Sequence, residues 1–388
     1  MKVTSQVNKL SEHLCRLCSS SSLDSVLVLE GMPSRAQYFP NSDSEAKSLA
    51  VSLNLKQCKD CGLVQILGKP VDYYREVIRS NKVSGAIRSF RLEQLDDFFE
   101  KYNLKSRLIL EVGCGNGDIL EILRELECNF HGLEHKSEFV ENLEKEGYKV
   151  FPGYPSEIQN LDLKNRYGAF LSLNVLEHAP NIKEFLSGIR KMLNPDAVGL
   201  IEVPNFDMIV SKNMISEFMV EHLTYFDRAS LRLALESSGF EIIEIKEVWH
   251  NYMLSAVVKM RPQLNMVYSI RQWNLLKNEI HKLFRTYTKD EICVWGAGHQ
   301  SLATISILEL HNHIQFIVDS SKSKQGLFAP SSGIPIVAPD ELKNSSSVKC
   351  VVVLGGSYTH EIIEDLSVNF SNTLKIITID GTKLVELK

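Results

Sequence analysis

Gly113, Gly115 and Gly117 alternate directly after an apolar run at 108–110 and Glu111, and a Leu- and Ile-rich stretch follows them. Without a Cβ, such a turn lets the backbone approach a ligand closely. The free N–H groups at the start of the following helix attract an anionic group. The next strand-like run, 128–133, ends in Glu134. An acidic residue about 20 positions past a glycine turn binds the ribose of a nucleotide-type cofactor. The third glycine comes too early for Gly-x-Gly-x-x-Gly. Glu111, Gly113, Gly115, Asn116, Gly117 and Glu134 are the expected cofactor contacts, with Asn174 at the end of another apolar run, 169–173.

Two C-x-x-C pairs, Cys15/Cys18 and Cys58/Cys61, stand about forty residues apart, and Gly62 follows the second. In a reducing compartment this spacing predicts one tetrahedral structural Zn²⁺ held by four thiolates. Four thiolates leave no open position for water, so a catalytic zinc is not expected. The long interval between the pairs must form a small structure of its own. Free cysteines packed as small hydrophobes, or a redox pair, are the plain alternatives.

Glu221 and His222 are adjacent in Met219-Val220-Glu221-His222-Leu223-Thr224-Tyr225-Phe226. Such a loop can hold a general base and its orienting carboxylate, or it is simply polar. His178, in Asn174-Val175-Leu176-Glu177-His178, is either a base or polar contact, or a histidine tied down at a strand end. Tyr74, after Tyr73, is a candidate for lining a substrate cleft, as is Tyr225.

The elements that must position these groups form an α/β pattern. Residues 71–107 are a helical lead-in, with Phe90, Leu92, Leu95, Phe98 and Phe99 at helical spacing. Across 108–260, apolar strands alternate with helices, which predicts a mainly parallel, doubly wound sheet with ligands at its carboxyl ends. A helix at 182–193 is expected to close at Asn194-Pro195, and another to begin near Ser230. Residues 261–388 repeat the pattern after an amphipathic helix at 270–284. Trp295-Gly296-Ala297-Gly298 follows a strand there, and a strand at 314–318 ends in Asp319. The expected domains are 1–70 for zinc, 71–107, 108–260 for the cofactor and 261–388.

The 388 residues carry 44% hydrophobic and 23% charged side chains and a net charge of −5. These are the values of a soluble globular protein. A mildly acidic chain argues against nucleic acid as a partner, and no apolar run is long enough to span a bilayer. The first residues lack an apolar signal core, so a cytoplasmic location with reduced thiols is expected.

The glycine turn with Glu134 leaves two readings, a nucleotide-type dehydrogenase or a methyltransferase using S-adenosylmethionine. Glu111-Val-Gly-Cys-Gly-Asn-Gly117 resembles the first motif of class I methyltransferases, and Asn174-Val-Leu-Glu-His178 their fourth-strand motif. Adjacent strands at 240–248 and 252–260 suit the antiparallel hairpin that closes their sheet. The whole order, from paired cysteines to Glu-His-Leu-Thr-Tyr-Phe, Trp-Gly-Ala-Gly and Lys324-Gln-Gly326, is similar to the sugar C-methyltransferase family. That resemblance implies S-adenosylmethionine, structural zinc and a small-molecule nucleotide sugar substrate. It suggests Gly296, Gly298 and Lys324 as contacts to the sugar's nucleotide, and in a C-methylation His222 would act as the base. The family's loop commonly opens Tyr-His-Glu-His or Tyr-Tyr-Glu-His, where this chain has Met219 and Val220. A Gly-Gly pair usual before the last strand is replaced near Asn251-Tyr252-Met253. O- or N-methylation, or non-catalytic binding of a sugar nucleotide, are the alternatives.

Overall fold

The computed structural model describes residues 13–35, 38–75, 85–157, 166–370 and 374–387. The first dozen residues, read above for a signal core, lie outside them. The chain divides into two compact units, Met1–Pro262 and Gln263–Lys388.

The first unit begins with β1 (Leu23–Pro33), α1 (Asp43–Ser48), β2 (Ala50–Cys58) and β3 (Val64–Ile66). Helix α2 (Gly85–Lys101) leads into the alternating region. There follow β4 (Leu108–Val112), α3 (Asp118–Glu125), β5 (Asn129–Glu134), α4 (Ser137–Lys145), β6 (Val150–Pro152), β7 (Tyr167–Leu173), α5 (Ile182–Met192) and β8 (Leu193–Pro204). The unit ends with α6 (Phe206–Ser211), β9 (Thr224–Tyr225), α7 (Arg228–Ser237), β10 (Phe240–Val248) and β11 (Met253–Met260).

Seven strands form the main sheet in the order β10-β11-β8-β7-β4-β5-β6. The five from β8 to β6 are parallel, and β11 and β10 close the sheet antiparallel. This is the doubly wound α/β sheet of class I methyltransferases. Apolar side chains leave both faces of the central strands and need cover on both. Leu186, Ile189, Leu231 and Leu235 of α5 and α7 share one core with Phe170 and Ile201. Phe99 of α2 and Leu120 of α3 share another with Ile109 and Leu171.

Several boundaries differ from the sequence pattern: the strand expected at 314–318 spans only Ile317–Val318, and the helix expected at 270–284 begins at Val267. Two differences in the first unit have a clear local cause. No loop follows α5, because β8 starts at Leu193, opposite Tyr167, and regular pairing resumes at Val198 opposite Ala169. The irregularity between them takes in Asn194 and Pro195, since a bulge tolerates a residue that cannot donate to the ladder. Helix α7 starts before Ser230 because Asp227 caps it. The Asp227 carboxylate accepts from Ser230 N at 2.7 Å, and the Ser230 hydroxyl accepts from Asp227 N at 3.1 Å.

Strand β9 was legible only as loop, and it does not join the main sheet. It pairs antiparallel with β3, Val64 opposite Tyr225 and Gln65 opposite Thr224, completing a sheet of order β1-β2-β3-β9. The segment with Glu221 and His222 is thereby anchored to the cysteine region.

The second unit holds α8 (Val267–Phe284), β12 (Ile292–Trp295), α9 (His299–Ile307), β13 (Ile317–Val318), β14 (Ile336–Val337), α10 (Pro339–Asn344), β15 (Cys350–Val353), α11 (Thr359–Asn369), β16 (Lys375–Asp380) and β17 (Lys383–Glu386). Its sheet runs β14-β13-β12-β15-β16-β17 and is parallel except at β17. The strand order reverses at β12, where such sheets bind ligands.

Candidate active site

A cleft opens where β4, β5 and β6 end. Val112, Gly113, Glu134, Gly153, Tyr154 and Val175 line it. Gly113 has φ +74° and Gly117 φ +84°, the left-handed region that favours glycine. A Cβ on Gly113 would meet Val175 Cγ2 at 2.8 Å, and one on Gly117 would meet Leu143 Cδ2 at 2.4 Å. These two glycines are thus demanded by the protein's own packing as well as by any ligand. Gly115 has φ +52°, and its N–H donates to Glu134 Oε2 at 2.8 Å.

Glu134 Oε1 accepts from His135 N and Lys136 N, both at 2.9 Å. Three of the roughly four acceptor positions on this carboxylate are therefore taken by backbone. It offers a ribose about one position. Glu111 is buried, and its Oε2 has no hydrogen-bond partner among the described residues. Burial holds its carboxyl well above the usual range, Glu134 and Asp118 add to this, and Arg91 opposes it. Asn116 is exposed in the turn, and Asn174 ends β7 at φ +58° with its N–H on Glu202 O at 2.9 Å. A cofactor of nucleoside type suits this cleft: Gly113 and Gly153 leave the backbone open, and Glu134 offers an acceptor at the end of β5.

The first unit also buries a charge pair that the sequence pattern does not disclose. Arg91 of α2 donates to Glu202 of β8, and both are fully buried. Gln94 donates to the other Glu202 oxygen.

On the far side of Val175 the chain makes a short turn, Leu176–His178. His178 Nδ1 lies 2.8 Å from Glu221 O. A carbonyl can only accept, so Nδ1 carries the proton and Nε2 keeps its lone pair. Nε2 lies 4.0 Å from Glu177 Oε1, and the His178 and His222 rings meet edge-on at 4.9 Å. The Tyr73 hydroxyl donates to Glu221 Oε1 at 2.6 Å. Tyr73 thus ties the Glu221 loop to the segment that precedes α2. Tyr225, by contrast, is buried with its hydroxyl between Met219 N at 3.1 Å and Met219 O at 3.3 Å. Its part is to shape the loop. Tyr74 stacks edge-on against Tyr154 at 5.9 Å, beside the cofactor cleft, and its hydroxyl accepts from Arg75 Nε at 2.7 Å.

Burial pushes the His222 imidazole down to about 3, with His178 contributing. His178 is lowered too, chiefly by burial, and His131 falls to about 4 for the same reason. Both site histidines are neutral at pH 7. Below the ordinary histidine range the unfolded chain takes up protons that the folded chain refuses, so stability is lost as pH falls. The melting temperature should therefore drop steadily from pH 7 toward pH 4, which calorimetry at a series of pH values would measure. A flat profile over that range would contradict the burial of these rings.

The four N-terminal cysteines converge. Cys15 Sγ lies 3.4 Å from Cys61 Sγ, Cys18 Sγ lies 3.5 Å from Cys58 Sγ, and all four sulfurs fall within 4.8 Å of one another. Thiolates about 2.3 Å from one zinc ion sit roughly 3.8 Å apart in a tetrahedron, so the sulfurs fit that ion. The two knuckles repeat one geometry. Ser19 N donates to Cys15 O and Gly62 N to Cys58 O, each at 2.9 Å. Ser19 and Gly62 share a left-handed φ, +63° and +78°. Burial pushes the Cys15 thiol up to about 11, so thiolates gathered here need a cation.

In the second unit, Gly296 has φ +117°, and a Cβ there would meet Leu354 O at 2.7 Å. Asp319 follows β13, and its carboxylate accepts from Ala297 N at 2.8 Å and from Lys324 Nζ at 3.0 Å. Gly298 precedes α9 with open space around it. Gly296, Gly298 and Lys324 thus gather at the carboxyl end of β12, in an arrangement much like that of Gly115 and Glu134.

Three family models match the chain in sequence order. Residues 15–70 match one described as "Putative zinc binding domain", residues 84–245 a "Methyltransferase domain", and residues 271–379 a "C-methyltransferase C-terminal domain". The chain is an S-adenosylmethionine-dependent methyltransferase. Its N-terminal region has a zinc-binding domain with a four-cysteine cluster fit for a structural ion, and its C-terminal region matches the C-terminal domain of C-methyltransferases. The methyltransferase is similar to the C-methyltransferase NovU of Streptomyces niveus, 22% identical over 388 residues, covering 90% of this chain and 91% of that one. It is also similar to the ubiquinone biosynthesis O-methyltransferase of Rickettsia prowazekii (strain Madrid E), 29% identical over 126 residues, with 31% of this chain and 49% of that one covered. A solved structure of the PH0226 protein from Pyrococcus horikoshii OT3 aligns with 49% of this chain and 98% of its own, at 15% identity and TM-score 0.40. Among the described residues no helix is long and apolar enough to cross a membrane.

Proposed function

We propose that this methyltransferase methylates a carbon beside a ketone on a nucleotide-linked sugar, with His222 as the base. The observation that carries this is the half-buried pair of neutral imidazoles, His178 and His222, packed edge-on beside the buried Glu177 and Glu221 and a short step along the chain from the cleft-lining Val175. The whole-length likeness to a C-methyltransferase favours carbon as the acceptor.

S-adenosylmethionine, when bound, supplies an electrophilic methyl group on a sulfonium. His222 takes the C–H proton, and the electron pair left on that carbon forms the new bond to the methyl carbon as the bond from methyl to sulfur breaks. Glu221, held by Tyr73, orients the loop, while the Glu177 carboxylate stabilises positive charge arising on the imidazoles. The rest is alignment in a dry site. Gly296, Gly298 and Lys324 are proposed to hold the nucleotide of the substrate. The low basicity of His222 gives O- or N-methylation a specific claim as the second reading, because an amine acceptor needs less help from a base.

The test is incubation with methyl-labelled S-adenosylmethionine and a panel of nucleotide-linked keto-sugars, read by mass spectrometry and carbon NMR. A new C–CH₃ signal is expected, and an ether or N-methyl product would favour the second reading.

Glu134 is proposed to bind the cofactor's ribose. Glu134→Ala should weaken S-adenosylmethionine binding by about 1.5–3 kcal/mol, the scale of a hydrogen bond to a charged group. Part of the loss comes through the freed Gly115 N–H. Calorimetry showing unchanged affinity would place the ribose elsewhere.

A further inference from the structure

We infer that Arg16, between the two cysteines of the first knuckle, is a positioning residue for the His178–His222 pair. This rests on the function proposed above only for its effect on turnover. The side chain leaves the zinc knuckle and reaches a loop of the methyltransferase domain. Its Nη1 donates to Pro180 O at 3.0 Å, two residues beyond His178. Its Nη2 donates to Gly68 O at 2.8 Å and to Ile66 O at 3.2 Å. One planar guanidinium therefore clamps the exit of the His178 turn against the end of β3. A fork of fixed geometry holds three carbonyls in register in a way that an ammonium cannot.

The backbone of the same residue carries a second link. Arg16 N donates to Gln65 Oε1 at 2.8 Å, and Gln65 is fully buried in β3, opposite Thr224 of β9. Beside that pair, Ile66 N donates to Leu223 O at 3.0 Å, and Leu223 N donates to Glu177 O at 2.9 Å. The histidine segments are thus both tied to one knuckle residue, His178 through Pro180 and His222 through β9. The consequence reaches the proton on His178. Its Nδ1–H is fixed by Glu221 O, and that bond needs the His178 turn and the Glu221 loop at a set separation. Arg16 sets one side of this distance.

The test is long-range ¹⁵N–¹H correlation NMR of the zinc-loaded protein with S-adenosylmethionine, the His178 signal being assigned by its loss in His178→Asn. Wild type should show the Nδ1–H tautomer alone. Arg16→Gln should show mixed tautomers while zinc stays at one equivalent and S-adenosylmethionine affinity is unchanged. Arg16→Lys should fall between. On the keto-sugar best used in the panel, kcat of Arg16→Gln should fall by about 10–100-fold with little change in KM, the scale of a misplaced reacting group. An unchanged tautomer in Arg16→Gln overturns the inference. So does loss of zinc or of the folded state in that variant, which would assign Arg16 to the stability of the knuckle. A shifted tautomer with unchanged turnover leaves the Arg16 link standing and removes His178 from the proposed proton transfer instead.

Discussion

His222→Asn is expected to bind S-adenosylmethionine as wild type does and to lose about 10²–10⁴-fold in turnover, the usual worth of a general base. A C–H bond beside a ketone is a poor acid, so carbon methylation stalls without a proton acceptor. Asparagine is polar and smaller, and it leaves the loop's other ties intact, since Glu221 keeps Tyr73 and Leu223 keeps Ile66. The acid limb of kcat should also lie below the ordinary histidine range, because burial holds His222 near 3 and keeps it in the proton-accepting form. Stopped single-turnover assays on the panel's best acceptor would measure both. Turnover near wild type in a folded His222→Asn protein would remove the base and favour amine methylation. Lost cofactor binding would put His222 in the cofactor cleft.

Cys58→Ser is expected to strip the zinc and the activity together. Purified wild type should hold about one equivalent of zinc, and the variant far less. Zinc binding in small domains is worth on the order of 10 kcal/mol of folding free energy, far more than one side chain usually contributes. Cys58 ends β2, which pairs with β3, which in turn pairs with β9. Losing the ion should therefore loosen the Glu221–His222 loop while leaving β4 to β6 and their cleft standing. Turnover should fall by a larger factor than S-adenosylmethionine affinity. Metal analysis and calorimetry on the same sample decide it: a zinc-free protein with wild-type melting and turnover would refute the zinc assignment.

What the sequence disclosed was local. The glycine turn, the acidic strand end at Glu134 and the paired cysteines each sit within a few residues, where spacing dictates geometry. The partners that complete the site are distant. Arg91 meets Glu202 across 111 residues, Tyr73 meets Glu221 across 148, and Arg16 meets Pro180 across 164. No periodicity marks such pairs, because each arises when separate elements pack. An arginine and a glutamate read singly belong on the surface, and only the closed sheet shows that Arg91 and Glu202 are buried together. Strand β9 escaped notice for a similar reason: two residues, Thr224 and Tyr225, are too few to show alternation. The crowding at Glu134 was hidden too, since its three backbone donors come from two places, Gly115 of the glycine turn and His135 and Lys136 just past β5, whose exact paths spacing does not reveal.

The pairing of β3 with β9 also sets an order of events during synthesis. Val64 leaves the ribosome long before Tyr225, so the cysteine knuckles can capture their ion while one edge of their sheet has no neighbour. An open strand edge invites pairing with other chains, and here it stays open until most of the seven-stranded main sheet has emerged. Closing it is a contact of high sequence separation, the kind that makes folding slow. Nascent chains halted before residue 224 should accordingly carry metal yet remain prone to stick to one another, and release from that hazard should coincide with completion of the loop that bears the histidine.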